Sequence, residues 1–244
     1  MALDSITFIV PALNENEALA NTLDEIMEIM KNEGVSDYEI LAVNDGSSDG
    51  TGAIADDYAR RYPRIRALHN PSPRGIGQAY KKGISLATKN QYMLVHGDNE
   101  IPAESIRKIL AAAGKADFVI TYLKKDTRPA GRLLFSRSFT RLVNSLFGLQ
   151  VRYYNGPNLI PVRLLKEISI LTNGHAFMAE VIVRLARRGY TYTEVEFSSR
   201  MRVRGRSKAF RIKNIISVLR AILRLRLSLN DAAVAPARDS EKIT

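Results

Sequence analysis

Short apolar runs and amphipathic stretches alternate along the first half of the chain. Ile6-Thr7-Phe8-Ile9-Val10 has the character of a buried strand, and residues 14–30 then place Leu19, Leu23, Ile26, Met27 and Met30 on one helical face. Residues 38–43 repeat the strand pattern and end in the loop Asn44-Asp45-Gly46-Ser47-Ser48-Asp49-Gly50, after which 51–61 reads as helix. The pattern continues with strands at 65–69, 92–96 and 118–121 and helices at 75–87 and 103–113. Beyond residue 121 it loosens: a basic helix at 132–147, a turn at 153–157, a helix at 176–188, a strand at 192–197 and a basic stretch. There is no internal repeat or low-complexity tract, and 232–244 reads as a frayed tail.

Strand and helix in regular alternation predict an α/β protein, with a mostly parallel sheet covered by helices on both faces. In such sheets ligands bind beyond the carboxyl ends of the strands. The polar residues that matter therefore come after each strand: Asn14 and Glu15, Asp45 and Asp49, Arg74, and His96 with Asp98 and Glu100.

Composition narrows the chemistry. The 244 residues, 45% hydrophobic and 25% charged, suit one large domain or a domain with an appendage. With no cysteine, thiol catalysis, zinc–thiolate sites and iron–sulfur clusters are excluded. The net charge of +11 is unevenly placed: residues 1–100 carry −6 and residues 101–244 carry +17, while 200–226 holds ten Lys or Arg and no acid. Separate surfaces with separate tasks fit this polarity better than a uniform nucleic-acid coat, and the basic block offers no stacking aromatic besides Phe210. Residues 1–4 form no basic leader, and nowhere do about 18 apolar residues run without charge, so a cytoplasmic protein is expected.

Acids at strand ends suit a sugar-nucleotide site, where carboxylates bind base and ribose donors and hold the ion that neutralises a diphosphate. Asp45 and Asp49 equally suit turn and helix-cap duty in an Asx-rich loop. Both readings stand at this level.

Three motifs decide for a family when taken together. Phe8-Ile9-Val10-Pro11-Ala12-Leu13-Asn14-Glu15, then Val43 to Thr51, then Arg74-Gly75-Ile76-Gly77-Gln78-Ala79-Tyr80 resemble, in order and spacing, the family-2 glycosyltransferases of GT-A fold. Arg132-Leu133-Leu134-Phe135-Ser136-Arg137, Glu180 and Arg202 to Lys208 are similar to the branch of dolichol-phosphate mannose synthases and bacterial polyprenyl-phosphate glycosyltransferases. The likeness covers about residues 5–226. It implies that Pro11, Asn14 and Glu15 line the base and ribose site, that Asp45 binds the nucleobase, and that Arg74 and Gly77 belong to the same donor site. The family's Asp-x-Asp metal motif falls on His96-Gly97-Asp98. Its first acid is replaced, leaving Asp98 as the matching carboxylate and Glu100 as a further ligand position. His96, Asp98 and Glu100 are thus the candidate ligands of a divalent cation, Mn2+ or Mg2+. A histidine shifts the preference from magnesium toward manganese, and a strand-end histidine without metal is the alternative. Lys124 or Lys125 stands where an arginine is usual, and Tyr154-Asn155-Gly156-Pro157 where an acidic loop is common.

A site joining a nucleoside diphosphate-sugar to a lipid phosphate needs cations on the acceptor side. Arg132 and Ser136 lie four residues apart on one helical face, where a phosphate can bridge them. The resemblance implies that this pair meets the acceptor phosphate and that Arg202, Ser207 and Lys208 sit in a loop closing over the diphosphate, with Asp98, Arg132, Arg202 and Lys208 as the catalytic set. Arg163, Arg184, Arg187 and Arg188 read as a solvated face, and His69 and His175 as structural. In the segment 211–229, Ile212, Ile215, Ile216, Leu219, Ile222 and Leu223 form one stripe, with Lys213, Ser217, Arg220 and Arg224 opposite. Such a helix can lie in an anionic membrane interface, or pack on the domain or a twin subunit as a homodimer. The expected organisation is a GT-A domain at 1–210, with a nucleotide-sugar half at 1–121 and an acceptor half at 122–210, then a C-terminal basic amphipathic helix at 211–229 and a tail at 230–244. The expected activity is inverting transfer of a sugar from a GDP- or UDP-linked donor to a polyprenyl phosphate at the cytoplasmic membrane face, without nucleic acid. A soluble or different lipid acceptor, or a degenerate nucleotide-sugar binder, are the rivals.

Overall fold

The computed structural model describes residues 3–124, 130–174, 176–200 and 212–231. Its elements run β1 (Ile6–Ala12), α1 (Leu19–Asn32), β2 (Tyr38–Asn44), α2 (Thr51–Arg61), β3 (Ile65–His69), α3 (Ile76–Leu86), β4 (Gln91–Leu94), α4 (Ala103–Leu110) and β5 (Phe118–Leu123). They continue with α5 (Ala130–Phe147), β6 (Leu159–Pro161), α6 (Val162–Lys166), α7 (Phe177–Arg187), β7 (Tyr192–Phe197) and α8 (Ile212–Asp231).

Seven strands form one sheet in the order β3-β2-β1-β4-β6-β5-β7. The pairs β1/β2, β1/β4, β2/β3 and β5/β7 are parallel, and β6 runs antiparallel to both β4 and β5. Period-two alternation explains why the sheet is covered on both faces. Ile6, Phe8 and Val10 of β1, with Ile40, Ala42, Met93 and Val95, join one core under α1, α2 and α4. Ile9, Leu41, Val43, Tyr92 and Leu94 point the other way, into a core shared with α3, α5, α6, α7 and α8.

The sequence pattern misses β6 and α6. A three-residue strand is too short to display a period, and it is placed by its neighbours: Tyr92 and Met93 pair with Ile160 and Leu159 on one side, Val119 with Leu159 on the other. The helix expected at 14–30 begins later, at Leu19: Asn14 is left-handed at φ 58°, which excludes it from a helix, and a turn over residues 16–18 leads into α1. Two surface assignments also change. Arg184 is not on a solvated face: its side chain is 12% exposed and its Nε donates to Glu180 Oε1 at 2.9 Å. The side chains of Ile212, Lys213, Ile215, Ile216 and Ser217 lie outside the described residues; the rest of the stripe expected on the last helix divides between two faces. Val218, Ile222 and Leu225 are buried in the domain core, whereas Leu219, Leu223 and Leu227 are exposed beside Arg220, Arg224 and Arg226. Spacing alone merged both faces of a helix that is apolar on each.

Candidate functional site

Strand order reverses direction at β1, since the connection from β1 leads to β2 on one side and that from β3 leads to β4 on the other. The carboxyl ends of β1 and β4 thus bound the crevice where a ligand is expected. Backbone hydrogen bonds fasten two loops to adjacent residues of the β1 end. The Asp45 N–H donates to the Ala12 carbonyl at 2.9 Å, and the Gly97 N–H donates to the Pro11 carbonyl at 3.0 Å. Asp45 and Asp98 are thereby carried on opposite flanks of one strand end. Gly97 is required for this approach, because a Cβ there would stand 2.9 Å from Ala12 Cβ and 3.3 Å from the Pro11 carbonyl.

On the β2 side, Asp45 is buried and its carboxylate organises the next loop. Oδ1 accepts from Asn70 Nδ2 at 2.8 Å and from the Arg74 N–H at 2.9 Å, and Oδ2 accepts from the Gly75 N–H at 2.9 Å. Gly46, at φ 73°, lies so near the 72–73 backbone that a Cβ would meet Ser72 at 2.6 Å. Asp45 thus joins the second and third motifs into one surface rather than capping a helix. Asp49 does the turn work: it accepts from the Thr51 N–H at 2.9 Å, from Thr51 Oγ1 at 2.5 Å and from the Asn16 N–H at 3.3 Å. Burial raises its carboxyl, but these hydrogen bonds outweigh that and hold it below the usual carboxylate range.

Asn14 and Glu15 are tied into the same loop. The Asn14 N–H donates to Ser47 Oγ at 3.0 Å, Asn14 Oδ1 accepts from the Ser48 N–H at 2.9 Å, and the Glu15 N–H donates to Thr51 Oγ1 at 2.8 Å. The left-handed backbone of Asn14 is sustained by these bonds. Arg74 is exposed at the mouth of a cleft of about 450 Å³ along the outer side of α3, shared with Asn70, Gln78, Lys81, Lys82 and Ser85. Gly77 seats α3: its N–H donates to the Asn173 carbonyl at 3.1 Å, and a Cβ would stand 2.7 Å from that oxygen.

On the β4 side, Asp98 Oδ1 accepts from the Glu100 N–H at 3.2 Å, and Asn99 between them is left-handed at φ 53°. His96, Asp98 and Glu100 succeed one another in this loop. Among the described residues, no three His, Asp or Glu side chains are arranged to hold an ion unaided. The residues still fit a divalent ion of the kind that takes one or two carboxylates from the protein and its remaining ligands from a diphosphate and water.

Arg200 is a residue that the sequence marks merely as the start of a charge run. Its guanidinium forks onto Glu25 at 2.6 and 2.9 Å and reaches Asn99 Oδ1 at 2.7 Å, while its N–H donates to the Glu100 carbonyl at 2.7 Å. Glu25, 18% exposed, holds the Arg200 cation more firmly protonated than an isolated guanidinium. The root of the basic segment is thus fastened to the Asp98 loop. Arg202, Ser207 and Lys208 themselves, with Lys125 and His175, lie outside the described residues.

Arg132 and Ser136 lie on α5, both partly buried, with Leu134 between them 65% exposed. Glu180, 2% exposed, accepts the Leu171 and Thr172 N–H groups at 3.0 and 2.8 Å and so braces the segment against which α3 rests. Tyr154 and Gly156 are likewise structural. The Tyr154 hydroxyl donates to Asn144 Oδ1 at 2.7 Å, and a Cβ on Gly156 would fall 1.9 Å from Thr121 Oγ1.

Residues 7–171 match the profile of glycosyl transferase family 2. An undecaprenyl-phosphate mannosyltransferase of Micrococcus luteus is 28% identical over 82% of this chain and 85% of its own. A polyprenol monophosphomannose synthase of Mycolicibacterium smegmatis is also 28% identical, over 82% of this chain and 79% of its own. Among solved structures, mannosyl-3-phosphoglycerate synthase of Rubrobacter xylanophilus superposes with a TM-score of 0.74 at 17% identity, over 99% of this chain and 79% of that one. Glucosyl-3-phosphoglycerate synthase of Mycobacterium tuberculosis, in complex with Mn2+, uridine diphosphate and phosphoglyceric acid, gives 0.68 at 16% identity, over 92% and 78%. At such identities the structural likeness speaks for the fold.

Proposed function

The chain belongs to glycosyl transferase family 2 and is a glycosyltransferase, and we propose that it transfers a sugar from a nucleoside diphosphate to a polyprenyl phosphate at the cytoplasmic face of the membrane. The curated relatives named above support a lipid-phosphate acceptor. One feature of the structure supports the same reading: α5 carries Arg132 and Ser136, both partly buried and four residues apart on one face, a cation and a hydroxyl for a phosphate. On α8, Leu219, Leu223 and Leu227 offer exposed apolar area to a lipid surface, and Arg220, Arg224 and Arg226 suit anionic headgroups. Among the described residues no helix is long and apolar enough to cross a membrane, so attachment through α8 is peripheral.

In this reading the donor base and ribose lie against Pro11, Asn14, Glu15 and Asp45, with Arg74 at the entrance. A divalent cation, Mn2+ or Mg2+, is held by Asp98 with His96 and Glu100 at hand, and when bound it neutralises diphosphate charge. An acceptor phosphate oxygen attacks the anomeric carbon, the bond to the departing diphosphate breaks on the opposite side, and the configuration inverts. The phosphate is already ionised at neutral pH, so no general base is needed. Arg132 and Ser136 fix the nucleophile, and Arg202, Ser207 and Lys208 offset the charge that develops on the leaving group.

The test is a donor panel of GDP-mannose, UDP-glucose and UDP-N-acetylglucosamine, each with manganese, magnesium or chelator, scored for binding and for transfer to a short polyprenyl phosphate. Metal-dependent transfer from one donor is the expected result. Transfer solely to a water-soluble acceptor refutes the lipid assignment, and donor binding without transfer or hydrolysis refutes catalysis by this route.

A further inference from the structure

His69, at the end of β3, has a defined place in a chain of hydrogen bonds that ends at Asn14. Its Nε2 lies 3.0 Å from Asp56 Oδ1 of α2, and its Nδ1 lies 3.2 Å from Asn44 Nδ2 at the end of β2. Asn44 Oδ1 accepts the Ser47 N–H at 3.0 Å. Ser47 Oγ in turn accepts the Asn14 N–H, and the Ser48 N–H donates to Asn14 Oδ1.

Both ends of this chain are fixed, and together they determine its middle. The Asp56 carboxylate accepts, so Nε2 carries the ring proton. The Ser47 N–H requires an oxygen, so the Asn44 amide is oriented with its NH2 toward Nδ1, which must then be the bare nitrogen. A proton on Nδ1 would oppose the Asn44 NH2, and an amide turned to meet it would take the acceptor away from Ser47. Gly52 keeps the path open, because a Cβ there would lie 2.8 Å from Asn44 Nδ2.

We infer that His69 is a positioning residue for the donor site: by accepting from Asn44 it sets the amide that fixes the 47–48 backbone, and through that backbone the left-handed Asn14. The inference rests on the donor-site reading above, and the experiment separates the two. In the full chain, His69→Asn places an amide oxygen where Nδ1 stands and loses the reach to Asp56. His69→Gln places its amide near Nε2 and loses the acceptor facing Asn44. Three properties are measured: amide hydrogen exchange at Ser47 and Ser48 without ligand, melting temperature, and calorimetric affinity for GDP-mannose and UDP-glucose with manganese.

The expected result is that His69→Gln speeds exchange at Ser47 and Ser48 and weakens donor binding about five- to tenfold, the worth of one hydrogen bond. His69→Asn keeps both within about twofold of the parent on the same reasoning, and the two variants melt alike. Equal behaviour of the two, or a larger defect in His69→Asn, overturns the inference and makes Asp56–His69 a plain tether between α2 and β3. If the parent protein binds neither donor, the donor-site reading fails and the functional part of the inference fails with it, while the exchange order still decides whether the relay exists.

Discussion

The β1–β2–β3 edge and the α5–α8 flank are built in opposite ways, each suited to the ligand proposed for it. At the first, loop side chains are braced against one another: Asp45 to residues 70, 74 and 75, Asn14 to 47 and 48, Asp49 to 16 and, within its own loop, 51. At the second, leucines and arginines stand exposed along helices whose other sides fill the core. A small polar donor demands fixed directions, and those are supplied by cross-bracing that leaves little to order on binding. A lipid surface demands area and charge, which a helix offers with no directional precision. Arg200 and Glu25 join the two regimes, since they hold the Asp98 loop and begin the basic segment.

This contrast can be broken from either side. The largest effect is expected from Asp98→Ala, which removes the matching carboxylate and should lower kcat by about 10²–10³ with an unchanged melting curve; near-parent turnover would take Asp98 out of the chemistry. Next, replacing Leu219, Leu223 and Leu227 together by serine removes exposed apolar area, each side chain being worth roughly 1.5–3 kcal/mol when fully buried. Partition onto anionic vesicles should fall about 100-fold, with turnover of a detergent-dispersed short acceptor retained. Arg200→Ala should lower kcat about tenfold through loss of charge-assisted bonds while donor affinity stays near the parent value, and Arg200→Lys should recover part of it. The smallest effect is expected far from the site. Thr191 donates to Asp117 Oδ2 from both Oγ1 and N–H at 2.7 Å and holds this carboxyl below the usual range. A depressed carboxylate stabilises the fold above its unfolded pKa of about 4 and ceases to do so as pH falls through its folded value. Asp117→Asn should therefore lower the melting temperature slightly at neutral pH, and the gap should close in acid.

How much of this was legible depended on how locally each feature is encoded. The strand–loop–helix units of the first hundred residues announce themselves by period. Residues 14–15, 45 and 96–100 could be read as lining one candidate site because parallel strands bring their carboxyl ends, and the loops leaving them, to one side of the sheet. β6 could not be read, because three residues have no period and its place is set by β4 and β5. The partners of Asp45 lie 25 to 30 residues away, so its bracing of the third motif was invisible beside the local capping alternative. His69 looked structural for the same reason: Asn44 and Asp56 meet it from different elements. The two apolar faces of α8 were merged because spacing reports which residues are neighbours, not which face the domain covers.

The reversed strand β6 also has a consequence for how the chain is made. Strands β1 to β4 pair among themselves and are complete once residue 94 has left the ribosome, yet the outer edge of β4 finds its partner only when residues 159–161 arrive. Until then the nascent protein carries a half-sheet with an open hydrogen-bonding rim, the kind of edge on which chains misassociate. During synthesis, closure of that rim by Leu159 and Ile160 is the event that commits the donor half and the remainder of the molecule to a single sheet.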